Sequence, residues 1–290
     1  MIDKDRSKTL TVIRGSNKPF QALNLPKVMN VNPRSAMNKI KELTTFIDEK
    51  DIDVAFISES FDRENNSLEE NFKLDGYKVI SNIHQRVEKG GRPALIVNER
   101  EYNVQDLTNK VIDVPWGVEV TWALLTPKNV SSDSIIQNIV LGSIYSKPKS
   151  KKKSDTLDHI AQTYNFLSTK YQKGLYWILA GDTNDMNLQP ILHLSPKFKS
   201  VVTKPTRLNP EAILDNIITD FANWYETPEC LRPHDADPGT AGKPSDHLIV
   251  VFPPINMINN KPARNTRNVT VRPLKQSGID LFGIWLSSQS

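Results

Sequence analysis

Residues 174–187 read GLYWILAGDTNDMN. From Leu175 to Ala180 the run is apolar and aromatic, the composition of a buried strand. It then breaks at Gly181 and sets Asp182 and Asn184 on alternate positions. A strand interior disfavours both, because a buried carboxylate or amide needs a partner. A strand end that faces a phosphate and a metal ion has a use for both.

Polar residues recur at other strand ends. Asn30 and Asn32 fall at the end of KVMNV (27–31) and just beyond it, and Glu59 lies at the end of DVAFISES (53–60). Tyr145 ends QNIVLGSIYS, Asp215 lies inside AILDNIITD, and Asp246 and His247 lead into HLIVVF. GGRPALIVNE (90–99) reads as a glycine-led turn into a strand, with no helix behind it to make a nucleotide-binding loop. GVEVTWALL alternates apolar and polar residues, which predicts a half-buried strand with Trp116 and Trp122 in the core.

Two segments have helical spacing. SAMNKIKELTTFIDEK places Met37, Ile40, Leu43 and Ile47 on one face, with Ser35 as the expected cap. SDTLDHIAQTYNFLSTKY does the same with Leu157, Ile160, Ala161, Tyr164 and Leu167, with Ser154 as the cap and His159 on the exposed side. A short Pro-led segment follows at 190–194. Many strands with two clear helices predict packed sheets flanked by helices.

The totals restrict the class. The chain has 290 residues, 38% apolar, enough for a sizeable core, and a net charge of +4, which permits a nucleic-acid partner without requiring one. Its one cysteine, Cys230, excludes a disulfide framework and a thiolate zinc site. The charged start, MIDKDRSK, is unlike a secretory signal, and the longest apolar stretch, near HLIVVFPPI, is too short to cross a bilayer. A soluble protein that is not secreted, nuclear or cytoplasmic, is expected. Residues 1–26 read as a polar leader and 27–254 as the main domain. Residues 255–272 have linker composition, and SGIDLFGIWL then begins a segment that stops short, as in the front part of something longer.

The strand-end residues suggest phosphoryl chemistry. A hard divalent cation takes oxygen ligands, commonly one or two carboxylates plus substrate phosphate. Glu59 and Asp246 are candidates for that task. Asp182 is a candidate to take a proton from water, and Asn184 to orient the water or Asp182. His247 held by Asp215 would stay protonated and donate to a phosphate oxygen, as would Tyr145. Each signal is weak alone, since a single strand-end aspartate is most often a turn residue.

Together and in order, NVNPRSAMNKIKEL, VAFISES, GGRPALIV, IVLGSIYSKP, WILAGDTND, KPTRLNP…ILDNIITD and GKPSDHLIVV resemble the endonuclease/exonuclease/phosphatase superfamily. The resemblance covers about residues 27–254 and is nearest to the endonuclease domain of non-LTR (LINE-type) retrotransposon polyproteins, chiefly through the last two segments. VTVRPLKQSGIDLFGIWL also resembles the join to a reverse transcriptase, which these residues do not include. The resemblance implies an α+β four-layer α/β/β/α sandwich, two packed and mainly antiparallel sheets flanked by helices. It implies Glu59 as a Mg²⁺ ligand (Mn²⁺ is the alternative), Asp182 and Asn184 as the Asp and Asn of Gly-Asp-x-Asn, Tyr145 as a phosphate contact, and Asp246 with His247 as the terminal pair, Asp246 helping Glu59 to place the metal. It also implies Asp215 as the support of His247. The first-motif Asn, which also helps place the metal, is Asn32 if NPRS is matched and Asn30 if NVN is matched; Asn32 is preferred. Two departures lie beside the site: Thr183 stands where the family usually has an aromatic residue, and Arg92-Pro93 follows the GG.

The expected activity is Mg²⁺-dependent nicking of DNA, leaving a 3′-hydroxyl that a linked reverse transcriptase would extend. A phosphatase or lipid phosphodiesterase of the same superfamily is one alternative, and a non-catalytic nucleic-acid-binding remnant is another. Lys147, Lys149, Lys151, Lys152 and Lys153 are candidate phosphate-backbone contacts, with Arg207 beside them, although a solvated loop accounts for the run equally well. His234, Asp235 and Asp237 read as a polar loop before a second metal site. His84, His159 and His193 read as structural.

Overall fold

Short apolar runs bounded by turn residues become strands, and the order of those strands brings the polar ends together. A computed structural model describes residues 25–61, 66–82, 91–128, 135–232 and 245–255. The leader, His84, the loop with His234, Asp235 and Asp237, and the 256–290 tail lie outside the described residues.

The first strands are β1 (Val28–Val31), β2 (Val54–Ile57), β3 (Tyr77–Ser81), β4 (Ala94–Asn98) and β5 (Tyr102–Asp106). The long central strands are β6 (Val120–Pro127), β7 (Asn138–Tyr145) and β8 (Leu175–Asp182). Then come β9 (Lys199–Ser200), β10 (Arg207–Leu208), β11 (Glu211–Ala212), β12 (Asp215–Thr219), β13 (Glu229–Leu231) and β14 (Ile249–Phe252). The helices are α1 (Ile40–Glu49), α2 (Leu68–Asn71), α3 (Lys153–Tyr171) and α4 (Gln189–Leu192).

Two six-stranded sheets form, in the orders β13-β14-β1-β2-β4-β3 and β5-β6-β7-β8-β12-β9; β10 and β11 make a separate hairpin. Pairing is antiparallel except at β1–β2 and β7–β8. Successive strand residues point to opposite faces, so each strand feeds two layers. Val28, Phe56, Leu141, Ile178, Ala180 and Ile217 fill the space between the sheets. Met29, Ala55 and Ile57 pack outward on Leu43, Phe46 and Ile47 of α1 and Leu68 of α2. Trp122, Val140 and Leu179 pack outward on Ile160 and Leu167 of α3 and Ile191 of α4. This is the expected α/β/β/α sandwich. No helix among the described residues is long and apolar enough to cross a membrane.

Several local expectations are corrected. β6 is buried on nearly its whole length, not half-buried, because helices cover its outer face. Helix α3 starts at Lys153, and neither Lys152 at the N-cap position nor Ser154 caps it with a side chain. Ser35 precedes a 3₁₀ turn, Ala36–Lys39, also without a side-chain cap. His159 is buried rather than exposed and accepts the Trp122 indole N–H at 2.9 Å. Trp116, expected in the core, is 62% exposed.

Candidate active site

The alternation that builds the inter-sheet core also builds the site. Val28, Ile178, Ala180, Ile217, Ile139 and Leu141 face inward. Counting by twos from them reaches Asn30, Asp182, Asp215 and Tyr145 at the strand ends. The site is the polar end of the core between the sheets.

Asn32 lies at its centre and is buried. Its amide Nδ2 donates to Glu59 Oε1 at 3.1 Å and to Asp182 Oδ2 at 2.8 Å. One amide thus joins a carboxylate from each sheet. Asn30 takes a different part: its Nδ2 donates to the carbonyls of Asn216, at 3.1 Å, and Gly181, at 3.4 Å. Asp182 accepts the Asn184 backbone N–H on Oδ1 at 3.1 Å, and its own N–H donates to the Ser58 hydroxyl at 2.7 Å. Asn184 sits at φ 46°, a left-handed conformation that asparagine tolerates, and its side chain donates to the Ser146 carbonyl at 2.9 Å. Burial, followed by the charge of Asp215, pushes the Asp182 carboxyl up to about 7; His247, Asn32 and Asn184 pull the other way.

Asp215 is paired in register with Asp182 across β12 and β8. Its Oδ2 lies 2.8 Å from His247 Nδ1, and its backbone N–H donates to the Thr206 hydroxyl at 3.0 Å. Burial alone would lower the imidazole pKa. The hydrogen bond and charge of Asp215, with the charges of Asp182 and Asp246, outweigh burial and raise it. Ser245 ties this corner to β1: its hydroxyl accepts from the His247 N–H at 3.2 Å and donates to the Asn32 carbonyl at 2.6 Å.

Tyr145 is half-buried, and its hydroxyl shares a hydrogen bond with Glu59. Burial, then the charges of Glu59 and Asp182, hold its pKa well above the usual phenol value, so it is a donor at every physiological pH. A Cβ at Gly91 would lie 2.7 Å from the Tyr145 ring and 2.8 Å from the Ser58 carbonyl, so that turn needs glycine.

Sequence reading missed Glu119, Thr206, Ser58 and Ser245. Glu119 is buried and accepts the Arg92 N–H at 2.9 Å, and burial pushes its carboxyl up to about 7. The alternation of GVEVTWALL put Glu119 on a supposed solvent face. Thr206 and Ser245 lie within quoted motifs, but a hydroxyl that accepts backbone N–H groups leaves no spacing signal.

The donor set fits a hard cation. Among the described residues, ligand atoms of Asp182, Asp215 and His247 lie within 4.8 Å of one another. However, His247 Nδ1 and Asp215 Oδ2 are engaged with each other, which leaves carboxylate oxygen as the main resource. Asp246 gives Oδ2 to Arg34 at 2.8 Å in a largely solvated pair, and its Oδ1, buried without a hydrogen bond, lies 3.7 Å from His247 Nε2; Asp215 Oδ1 is also buried without a hydrogen bond. Buried carboxylate oxygens that accept no hydrogen bond, such as Asp215 Oδ1 across from Asp182, are what an oxygen-seeking cation satisfies.

The lysine run divides in two. Lys147, Lys149 and Lys151 are exposed. Lys152 pairs with Asp155 at 2.7 Å, and Lys153 with Asp185 at 2.5 Å. Arg207 bridges His247 through the main chain, and its Nε donates to the Pro210 carbonyl at 3.3 Å.

No protein family matches the chain by sequence, and no curated protein does. Solved structures match in fold. The endonuclease domain of TRAS1, a telomere-specific non-LTR retrotransposon, superposes with a TM-score of 0.55 at 14% identity, over 80% of this chain and 99% of its own. The 3′-5′ exonuclease NExo from Neisseria meningitidis gives 0.55 at 13%, over 79% and 99%. The AP endonuclease LMAP from Leishmania major gives 0.56 at 12%, over 78% and 86%. All three are endonuclease/exonuclease/phosphatase proteins, and this chain has their fold.

Proposed function

We infer that the chain is a divalent-cation-dependent DNA endonuclease that nicks phosphodiester bonds. The observation that carries this reading is the pairing of two unlike devices at one sheet edge. Asp182, buried and held by Asn32 and Asn184, is suited to accept a proton. The Asp215–His247 pair is suited to hold one.

Water attacks phosphorus as the P–O3′ bond breaks; Asp182 takes the water's proton, and the departing O3′ takes one from solvent. Asn184 orients Asp182 through its backbone N–H. His247 and Tyr145 donate to the non-bridging oxygens, where charge develops. Glu59 and Asp246, with Asn32 fixing Glu59, would hold Mg²⁺ or Mn²⁺, which supplies charge neutralisation at the phosphate when bound. The product is a 3′-hydroxyl, the primer that a linked reverse transcriptase needs. The TRAS1 likeness and the KPTRLNP and SDH segments favour this retroelement-type role, with nuclear or cytoplasmic action.

Conversion of supercoiled plasmid to open circles tests the reading. Nicking that requires Mg²⁺, stops in EDTA and is lost in His247→Ala is expected. Intact plasmid with a folded wild type, or hydrolysis of phosphomonoesters alone, would sink it. The pH dependence follows from Asp182. Below about 7 its carboxyl is protonated and cannot accept, whereas His247 keeps its proton. The single-turnover rate should therefore rise by roughly tenfold per pH unit until it levels near pH 7. A profile flat through neutrality would remove Asp182 from the role of base.

A further inference from the structure

Trp116 stands in the turn closed by the Val118 N–H donating to the Pro115 carbonyl at 3.1 Å. It is the most exposed of the large apolar side chains in the described residues, at 62%. A lone exposed apolar residue is ordinary. This one is held in place. Gly117, at φ +80°, turns the chain tightly behind it, and the Lys152 stem lies about where a Gly117 Cβ would touch, 3.4 Å away. The Lys152 ammonium lies 5.7 Å from the Trp116 ring centroid and also pairs with Asp155 at 2.7 Å in a solvated contact. The indole thus has a cation beside its ring while much of it faces water.

The turn is tied to the site. Glu119, three residues on, accepts the Tyr145 N–H on its carbonyl at 3.0 Å, and its carboxylate accepts the Arg92 N–H. On the other side, the segment with the exposed Lys147, Lys149 and Lys151 is tied to the catalytic turn. The Lys149 N–H donates to Asp185 Oδ1 at 3.2 Å and Lys153 pairs with Asp185, which follows Asn184. The lysine-rich segment therefore connects the Asp182–Asn184 turn, through Asp185, to the exposed ring, through Lys152.

We propose that Trp116 is a stacking platform for an unpaired base of the DNA strand that leaves the scissile phosphate, with Lys147, Lys149 and Lys151 following its phosphates. Aromatic rings beside basic grooves bind single strands in this way, because every base has a π-face and every link a negative charge. Lys152 is the support of the ring and not a phosphate contact. The proposal rests on the reading of the site as a DNA nuclease and adds to it a preference for locally unpaired DNA.

The test is fluorescence anisotropy of a labelled single-stranded DNA with the full chain in EDTA, so that binding is read without cleavage. Wild type is compared with Trp116→Ala and Trp116→Phe. Hydrolysis of bis(p-nitrophenyl) phosphate with Mg²⁺, a substrate with no base to stack, is measured alongside. Expected are a loss of affinity of roughly tenfold or more in Trp116→Ala, substantial recovery in Trp116→Phe, and unchanged hydrolysis of the small diester. Single-strand affinity unchanged in Trp116→Ala, or absent in wild type, would overturn the proposal. Affinity that depends on Trp116 in a protein that hydrolyses no diester would keep the platform and fail the nuclease reading instead.

Discussion

Asp182→Asn should lower the single-turnover nicking rate by roughly 10²–10⁴ while leaving the protein folded. The substitution keeps the size of the side chain and removes its proton affinity. The two oxygens of Asp182 receive N–H groups from Asn32 and Asn184. An amide offers one acceptor, so one of those bonds is lost as well. The loss is local, because the Asp182 backbone still donates to Ser58 and β8 still pairs on both sides. Circular dichroism should be unchanged, and the small-diester rate should fall with the nicking rate. Adding His247→Ala to Asp182→Asn should cost much less than the two losses combined, since groups acting in one step are not additive. Nicking by Asp182→Asn within tenfold of wild type would show that another group takes the proton.

Gly181→Ala should be the most destabilising methyl added to any glycine among the described residues. Gly181 has φ +151°, a conformation that L side chains avoid. A Cβ there would lie 1.8 Å from the Ile144 carbonyl oxygen and 2.7 Å from its carbon. These are backbone atoms of the neighbouring parallel strand, β7, and cannot rotate away. β7 and β8 would have to separate in the middle of their sheet, with Ile144 and Gly181 in register. Strain of this kind, added to lost pairing, is expected to cost on the order of 3–5 kcal/mol in urea unfolding. Soluble Gly181→Ala with a wild-type midpoint would mean that the strands adjust more freely than the geometry allows.

Much of this architecture was legible because two periods dominate it. The apolar runs at β1, β2, β7, β8 and β14 and the helical faces of α1 and α3 carry strong patterns. Asp182 and Asn184 stand out because they end such an apolar run with polar groups at alternate positions, which a strand interior disfavours. β3 and β5 escaped because YKVIS and YNVQD are short edge strands of mixed polarity. His159 and Trp116 were misplaced for opposite reasons. His159 is buried by a partner, Trp122, that no local spacing reveals. Trp116 was assigned to the core by its type, yet its tight turn at Gly117 lifts it off the sheet. The Asp215–His247 pair, separated by 32 positions, follows from the chemistry that a strand-end His requires and from the family resemblance, since no local spacing links the two. Glu119 illustrates the limit most clearly, since an alternating strand gives a buried carboxylate and a solvated one the same signature.

The amide of Asn32 has one more consequence. It bonds Glu59, which follows a strand of one sheet, and Asp182, which ends a strand of the other. Ser58 and Asn30 cross the same seam. The reacting groups are therefore divided between two slabs, and their spacing is only as constant as the slabs' alignment. A methyl removed deep in the apolar filling, far from any phosphate, would let the slabs slip by a fraction of an ångström. The molecule would then behave as a vernier whose reading drifts while both scales remain intact: turnover would fade on warming before any strand had melted.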